Sequence, residues 1–222
     1  MRALIAGIIG MCLRLTIRII AKADTREFRN IPDTGPLIIV FNHVNFLEVP
    51  LLYLRLRPRS VHYLAKKETW DKPLRAWMAD RWGSVNVDRG GNPLGALKQA
   101  GALLDEGRIL LVSPEGTRSE DGVLRNARCG VVLLALEHQA TILPVAHTGA
   151  EMINHNLKRL RRTKVHYRVG RPFRLMGEGH PKKPVREDLL QAVMGELAAL
   201  LPEHQRGIYG NGVVDETILE YL

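Results

Sequence analysis

The sequence predicts an α/β fold, a mostly parallel or mixed sheet flanked by helices, with an N-terminal amphipathic helix that associates with a membrane. Three observations carry this expectation. From Pro36 onward, short apolar runs of strand length alternate with stretches of helical periodicity, the pattern of parallel strands joined by helices. Hydrophobic residues make up 45% of the 222 and charged residues 25%, which suits a packed core and excludes a disordered chain. The first thirty residues join a long apolar run to a basic stripe.

Ala3 to Leu13 are eleven residues, all apolar or glycine. A bilayer span needs about 20. Arg14, Arg18, Lys22 and Arg26 then recur at spacing four among Leu15, Ile17, Ile19 and Ile20. A basic stripe beside an apolar surface suits a helix lying at a membrane interface. Two other readings stay open: an amphipathic helix that closes the core, and a cleaved signal peptide ending at Ala21-Lys22-Ala23. Two arginines between the apolar run and that site argue against the second. The expected division is residues 1–30 as a membrane-associating helical segment and 31–222 as a single α/β domain.

The elements follow in order. Leu37–Phe41 reads as a buried strand, Phe46–Leu56 as a helix with Pro50 in its first turn, and Val61–Ala65 as a strand. A helix starts near Pro73, and Ser84–Val87 is a short strand. Pro93–Leu104 is helical and ended by Gly107; Ile109–Val112 is a strand. Arg128–His138 is a helix, Ile142–Ala146 and Val165–Val169 are strands, and Glu187–Leu201 is an amphipathic helix closed by Pro202. Glu203–Leu222 shows little pattern.

The chain is basic, with 32 Lys and Arg against 23 Asp and Glu, a formal +9, which points to a polyanionic partner. Residues 1–30 carry six basic and two acidic residues. Met152–Gly177 carries eight basic residues and no acidic one. With the apolar N-terminus, these two regions favour an anionic membrane surface. Aromatics are only 5% and no nucleic-acid motif appears, so no nucleic-acid partner is expected. Cys12 and Cys129 build no disulfide framework or zinc-like spacing. The histidines show no ligand spacing, and no metal is expected.

Two constellations could do chemistry. The strand Leu37–Phe41 delivers Asn42 and His43 at its C-terminal end, where open α/β sheets bind ligands. Glu48 follows five residues later. On one continuous helix that spacing separates side chains by about 140°. At a strand–turn–helix junction the two can converge, the carboxylate fixing one imidazole nitrogen and leaving the other to take a proton from a hydroxyl. After strand Ile109–Val112 comes Ser113-Pro114-Glu115-Gly116-Thr117-Arg118-Ser119. Its glycine permits close backbone approach, its hydroxyls are polar partners, and Arg118 is a bidentate fork for phosphate. Gly83 and Arg89, six residues apart, add a turn and another arginine.

These residues resemble the glycerolipid acyltransferase family typified by lysophosphatidate acyltransferase. Asn42-His43-x4-Glu48 is similar to its catalytic block, Gly83-x5-Arg89 to its second, Pro114–Ser119 to its third and Ile142-Leu143-Pro144-Val145 to its fourth. The resemblance spans about Pro36 to Ala146. It departs at Glu48, where the family has aspartate, and at Ser113, where an aromatic residue is usual. The resemblance implies His43 as general base, Glu48 as its orienting acid, and Asn42, Gly83, Arg89, Glu115, Gly116, Thr117 and Arg118 around the acceptor. It implies an acyl thioester of coenzyme A or acyl carrier protein as donor, no other cofactor and no covalent acyl-enzyme. The acceptor is a lysophospholipid, foremost 1-acyl-sn-glycerol-3-phosphate giving phosphatidic acid, at the cytoplasmic face of a membrane. Another lysolipid such as lyso-ornithine lipid, or weak activity in a lipid-binding protein, is the alternative.

Overall fold

A computed structural model describes residues 2–32, 35–87, 93–177, 179–210 and 216–222. In chain order the elements are α1 (Arg2–Ile20), β1 (Ala21–Asp24), β2 (Leu37–Phe41), α2 (Glu48–Leu56), β3 (Val61–Lys66), α3 (Pro73–Arg81), β4 (Val85–Val87), α4 (Pro93–Asp105), β5 (Ile109–Val112), α5 (Gly130–Glu137), β6 (Thr141–Thr148), α6 (Ile153–Lys158), β7 (Thr163–Val169), β8 (Phe173–Leu175), α7 (Lys183–Ala199) and β9 (Leu219–Tyr221).

The nine strands form one mixed sheet in the order β1-β7-β6-β2-β5-β3-β4, with β8 beside β6 and β9 beside β8. β6, β2, β5, β3 and β4 run parallel. β7 returns antiparallel along the C-terminal half of β6, and β8 meets its N-terminal end at Ile142. β2 sits between β6 and β5 and is buried along its whole length. Its all-apolar composition follows, since a central parallel strand is covered on both faces.

Strand alternation divides the core in two. Leu37, Ile39 and Phe41 of β2, with Ile109 and Leu111 of β5, pack against Leu51, Leu52 and Leu56 of α2, Ile17 of α1 and Ile153 of α6. Ile38 and Val40, with Leu110 and Val112, pack against Ala100 and Leu104 of α4, Val131, Val132, Leu134 and Leu136 of α5 and Leu189, Val193 and Leu197 of α7. The sheet is thus sandwiched between two helical layers. Burying each such Leu or Ile contributes about 1.5–3 kcal/mol.

Three short strands depart from the sequence expectation. β1, β8 and β9 hold only three or four residues each, at or near sheet edges, too short to show an apolar alternation. β1 alters the N-terminal division most. The helix ends at Ile20, and Ala21–Asp24 pair with Thr163–His166 of β7, so residues 21–24 belong to the sheet of the main domain. The C-terminal stretch also packs: Gln205 O accepts the Leu124 N–H at 2.9 Å, and Tyr209 Oη accepts the Ala127 N–H at 3.0 Å. Among the described residues no helix is long and apolar enough to cross a membrane.

Candidate active site

The site is built at the C-terminal end of β2. Just past the last ladder pair, Phe41 with Val145, the buried Asn42 side chain replaces a peptide group. Its Nδ2 donates to His147 O at 3.0 Å, and its Oδ1 accepts the His147 N–H at 2.9 Å. β2 and β6 are held together there while the backbone turns away to present His43.

His43 is fixed at three points. Its N–H donates to Glu115 Oε1 at 3.0 Å, and its carbonyl accepts the Ser119 N–H at 2.8 Å. Its Nδ1 lies 2.9 Å from Glu48 Oε2. A carboxylate only accepts, so Nδ1 carries the proton and Nε2 is the lone-pair nitrogen. The side chain is 22% exposed, and Nε2 has no hydrogen-bond partner among the described residues.

Glu48 opens α2 and is 1% exposed. Its Oε1 accepts the Val44 N–H at 3.1 Å and the Asn45 N–H. The chain from His43 to Glu48 therefore curls around one carboxylate, at a helix N-terminus where a negative charge is favoured. Asn45 stiffens this loop: Oδ1 accepts the Leu47 N–H at 2.7 Å, and Nδ2 donates to Ala150 O at 2.8 Å.

His147 lies beneath the pair, fully buried. Its Nε2 donates to Asn42 O at 2.8 Å and lies 3.5 Å from Glu48 Oε1. Its Nδ1 has no partner among the described residues. Burial holds its pKa below the usual histidine value, so it stays neutral. Its ring rests 5.4 Å from that of Tyr167, whose hydroxyl burial pushes well above the ordinary phenol range.

The block after β5 contributes differently from side chain to side chain. Glu115 is a buried brace, bonding the N–H groups of His43 and, at 2.9 Å, Arg125. Burial raises its pKa and the two donors oppose the rise. Gly116 has φ +66° and the Arg128 side chain against it, so a side chain there would be strained. Thr117 and Arg118 are exposed, and Arg118 has no ion-pair partner among the described residues. Arg128, which no sequence pattern marked, adds a second exposed guanidinium beside Gly116.

Gly83 does not join this group. Val85 pairs with Leu64 of β3, His62 with Leu110 of β5, and Leu110 with Ile38 of β2. Gly83 therefore stands at the height of Ile38, about 16 Å below His43 along the strands, and three strands away. Its φ is +62°, its carbonyl meets His62 Nδ1 at 2.8 Å, and a Cβ would collide with that ring. It is a turn glycine, required by packing. Arg89 lies outside the described residues.

Residues 22–148, more than half of the chain, match the model of the Acyltransferase family. The chain belongs to this family. A lyso-ornithine lipid O-acyltransferase of Pseudomonas aeruginosa is 35% identical over 112 residues, covering 50% of this chain and 42% of the relative. A 1-acyl-sn-glycerol-3-phosphate acyltransferase of Bacillus subtilis is 30% identical over 136 residues, covering 61% and 66%. The chain thus spans about two fifths to two thirds of the length of these relatives. The crystal structure of the 1-acyl-sn-glycerophosphate acyltransferase PlsC of Thermotoga maritima shares the fold, with a TM-score of 0.61 at 24% identity, over 84% of this chain and 76% of that one. The family match takes in His43, Glu48, Glu115–Ser119 and His147.

Proposed function

We propose that this acyltransferase-family chain moves a fatty acyl group from an acyl thioester, of coenzyme A or acyl carrier protein, to the free hydroxyl of a lysophospholipid. The observation that carries the reading is the His43–Glu48 contact at 2.9 Å, which leaves Nε2 open for an acceptor hydroxyl. Nε2 takes the hydroxyl proton as the oxygen attacks the thioester carbonyl. Glu48 stabilises the imidazolium that forms. Collapse of the tetrahedral adduct breaks the C–S bond, and the imidazolium returns its proton to the leaving thiolate. Proton and charge balance, and no acyl-enzyme is needed.

The preferred acceptor is 1-acyl-sn-glycerol-3-phosphate. Arg118 and Arg128 are both exposed near the loop whose Ser119 N–H holds the His43 carbonyl, and guanidinium forks suit a phosphate. Arg89 is proposed as a third cation there. A lyso-ornithine lipid acceptor is the second reading, favoured by the 35% identity to the Pseudomonas enzyme. The chain would work from the surface of an anionic membrane, at its cytoplasmic face, with α1 against the lipid. Of the α1 side chains described, Ile17 alone is buried, while Met11, Leu15 and Ile19 face outward with Arg14 and Arg18.

Purified protein with a panel of lysolipids and acyl thioesters tests this. Turnover of lysophosphatidate above all others is expected. Absence of turnover with every acceptor overturns the reading.

A further inference from the structure

The α6–β7 connection carries a feature that acyl transfer does not use. Leu160 is 94% exposed. It has φ +53°, a left-handed conformation that leucine adopts at a cost and that glycine or asparagine adopts readily. The turn is nonetheless well formed. Leu160 N–H bonds Leu157 O at 3.0 Å, Arg159 and Arg161 N–H both bond Asn156 O, and Asn156 Nδ2 reaches Thr163 Oγ1 at 3.1 Å. The fold holds a leucine in solvent at a defined place.

Its neighbours are equally unusual. Leu157 is also exposed, and the exposed Lys158, Arg159, Arg161, Arg162 and Lys164 flank the tip in sequence. None of these five cations has an ion-pair partner among the described residues. A water-facing surface gives no physical reason for an apolar tip flanked by unpaired cations. A bilayer gives one: leucine partitions among acyl chains, and the cations meet anionic headgroups.

The position agrees. Arg162 Nη2 lies 3.4 Å from Ala21 O, at the junction of α1 and β1. Ile153 of α6 and Ile17 of α1 line the same small cleft, together with Asn45 and Glu48. The turn that leads into α6 is joined to the His43 loop through Asn45 and Ala150, and Phe46 of that loop is exposed. α1, the first residue of α6 and the loop of His43 thus pack on the same layer of the sheet, and the Leu160 turn follows directly from α6.

We propose that the Leu157–Arg162 turn is a second bilayer contact, with Leu160 inserted among acyl chains and the flanking cations on anionic lipid headgroups. It supplements α1, so that two separated elements meet the membrane and set the tilt of the domain, with the His43 loop facing the lipid. The proposal adds to the membrane reading above and does not depend on the acyl-transfer chemistry.

The test uses the full chain carrying Cys12→Ser and Cys129→Ser, with an environment-sensitive dye on L160C or, as control, on D188C of α7 in the opposite layer. Vesicles are phosphatidylcholine with or without phosphatidylglycerol. A blue shift at 160, quenched by brominated lipid, stronger with phosphatidylglycerol and absent at 188, is expected. In the otherwise parent chain, Leu160→Asp should lower vesicle partitioning about tenfold or more. Sedimentation with vesicles while the dye at 160 stays in water overturns the proposal and leaves the enzyme reading intact. Failure to sediment overturns it as well. So does a blue shift with an acidic acyl carrier protein in the absence of lipid, which would make the partner a protein. Insertion at 160 in a protein that turns over no lysolipid would instead sink the proposed reaction alone.

Discussion

Asn42 and His147, 105 residues apart in sequence, are joined by three hydrogen bonds of 2.8 to 3.0 Å. The Asn42 carboxamide completes the ladder between β2 and β6, and the His147 ring closes on the Asn42 carbonyl. Both residues are buried. Asn42→Ala would strand the His147 N–H and carbonyl in the core, at about 1–3 kcal/mol for each unsatisfied group. We expect a stability loss of at least about 2 kcal/mol in urea unfolding, with turnover lowered because the side-chain bridge that ties the end of β2 to β6, next to His43, is gone. A variant as stable as the parent would show that water or a shifted neighbour replaces these bonds.

The neutrality of His147 makes a signed prediction about acid. Burial depresses its folded pKa below 6.5, whereas the unfolded chain takes up a proton near 6.5. The contribution to stability is fully present above that value and is lost as pH falls below it. One proton, about 1.4 kcal/mol per pH unit, is the upper limit of the slope. Glu115, whose folded pKa is raised, contributes with the opposite sign, but does so equally in parent and variant. His147→Gln keeps a donor for the Asn42 carbonyl and does not titrate. Its stability should therefore fall less steeply than the parent's as the pH drops below about 6.5. Parallel profiles would contradict a buried neutral His147.

How much of this was legible in the sequence depends on range. The strands β2, β5 and β6 were readable because five or so consecutive apolar residues can only be central. The meeting of His43 and Glu48 was readable because both lie within one strand–turn–helix junction. The partners that fix them are remote: Glu115 is 72 residues from His43, and His147 lies at the end of another strand. Sequence spacing carries no trace of such pairs. Gly83 illustrates the converse. A glycine in a resembling motif reads as part of a binding site, but register places it well below His43, where it makes room for His62. Arg128 had no signal at all, since its relevance comes from packing on Gly116.

Arg118 and Arg128 distinguish the two acceptor readings. Arg118→Ala and Arg128→Ala should each raise the KM for lysophosphatidate about ten- to a hundredfold, the scale of one charge-assisted contact. KM for an acceptor without phosphate should change little. Equal effects on both acceptors would assign the arginines to the folding of the loop.

The exposed side of α1 is tested by substitution rather than by removing residues 1–22, because β1 starts at Ala21 and Ile17 is part of the core. Leu15→Glu combined with Ile19→Glu removes two outward-facing apolar side chains and adds two negative charges. Co-sedimentation with anionic vesicles should drop, while the thermal midpoint stays near the parent's. Raising salt should weaken parent binding without abolishing it, since the apolar part is not screened. Unchanged co-sedimentation would remove α1 from the membrane surface.

The dyad itself separates charge from length. His43→Ala should lower turnover about 10²- to 10⁴-fold. In Glu48→Gln, the amide oxygen can still accept the Val44 and Asn45 N–H groups, so the loop keeps its shape. The amide NH2 then faces Nδ1 of His43, which must become the acceptor. The proton moves to Nε2, where the base lone pair is needed, and no negative charge remains to stabilise an imidazolium. Turnover should fall nearly as far as in His43→Ala. Glu48→Asp retains the charge but shortens the reach by roughly 1.5 Å, about one C–C bond and enough to break a contact of ordinary length. One carboxylate must then choose between His43 and the backbone N–H pair. Activity between that of the parent and that of Glu48→Gln is the expected result. Glu48→Gln as active as the parent would reduce Glu48 to a capping acid of α2 and leave His43 in need of another partner.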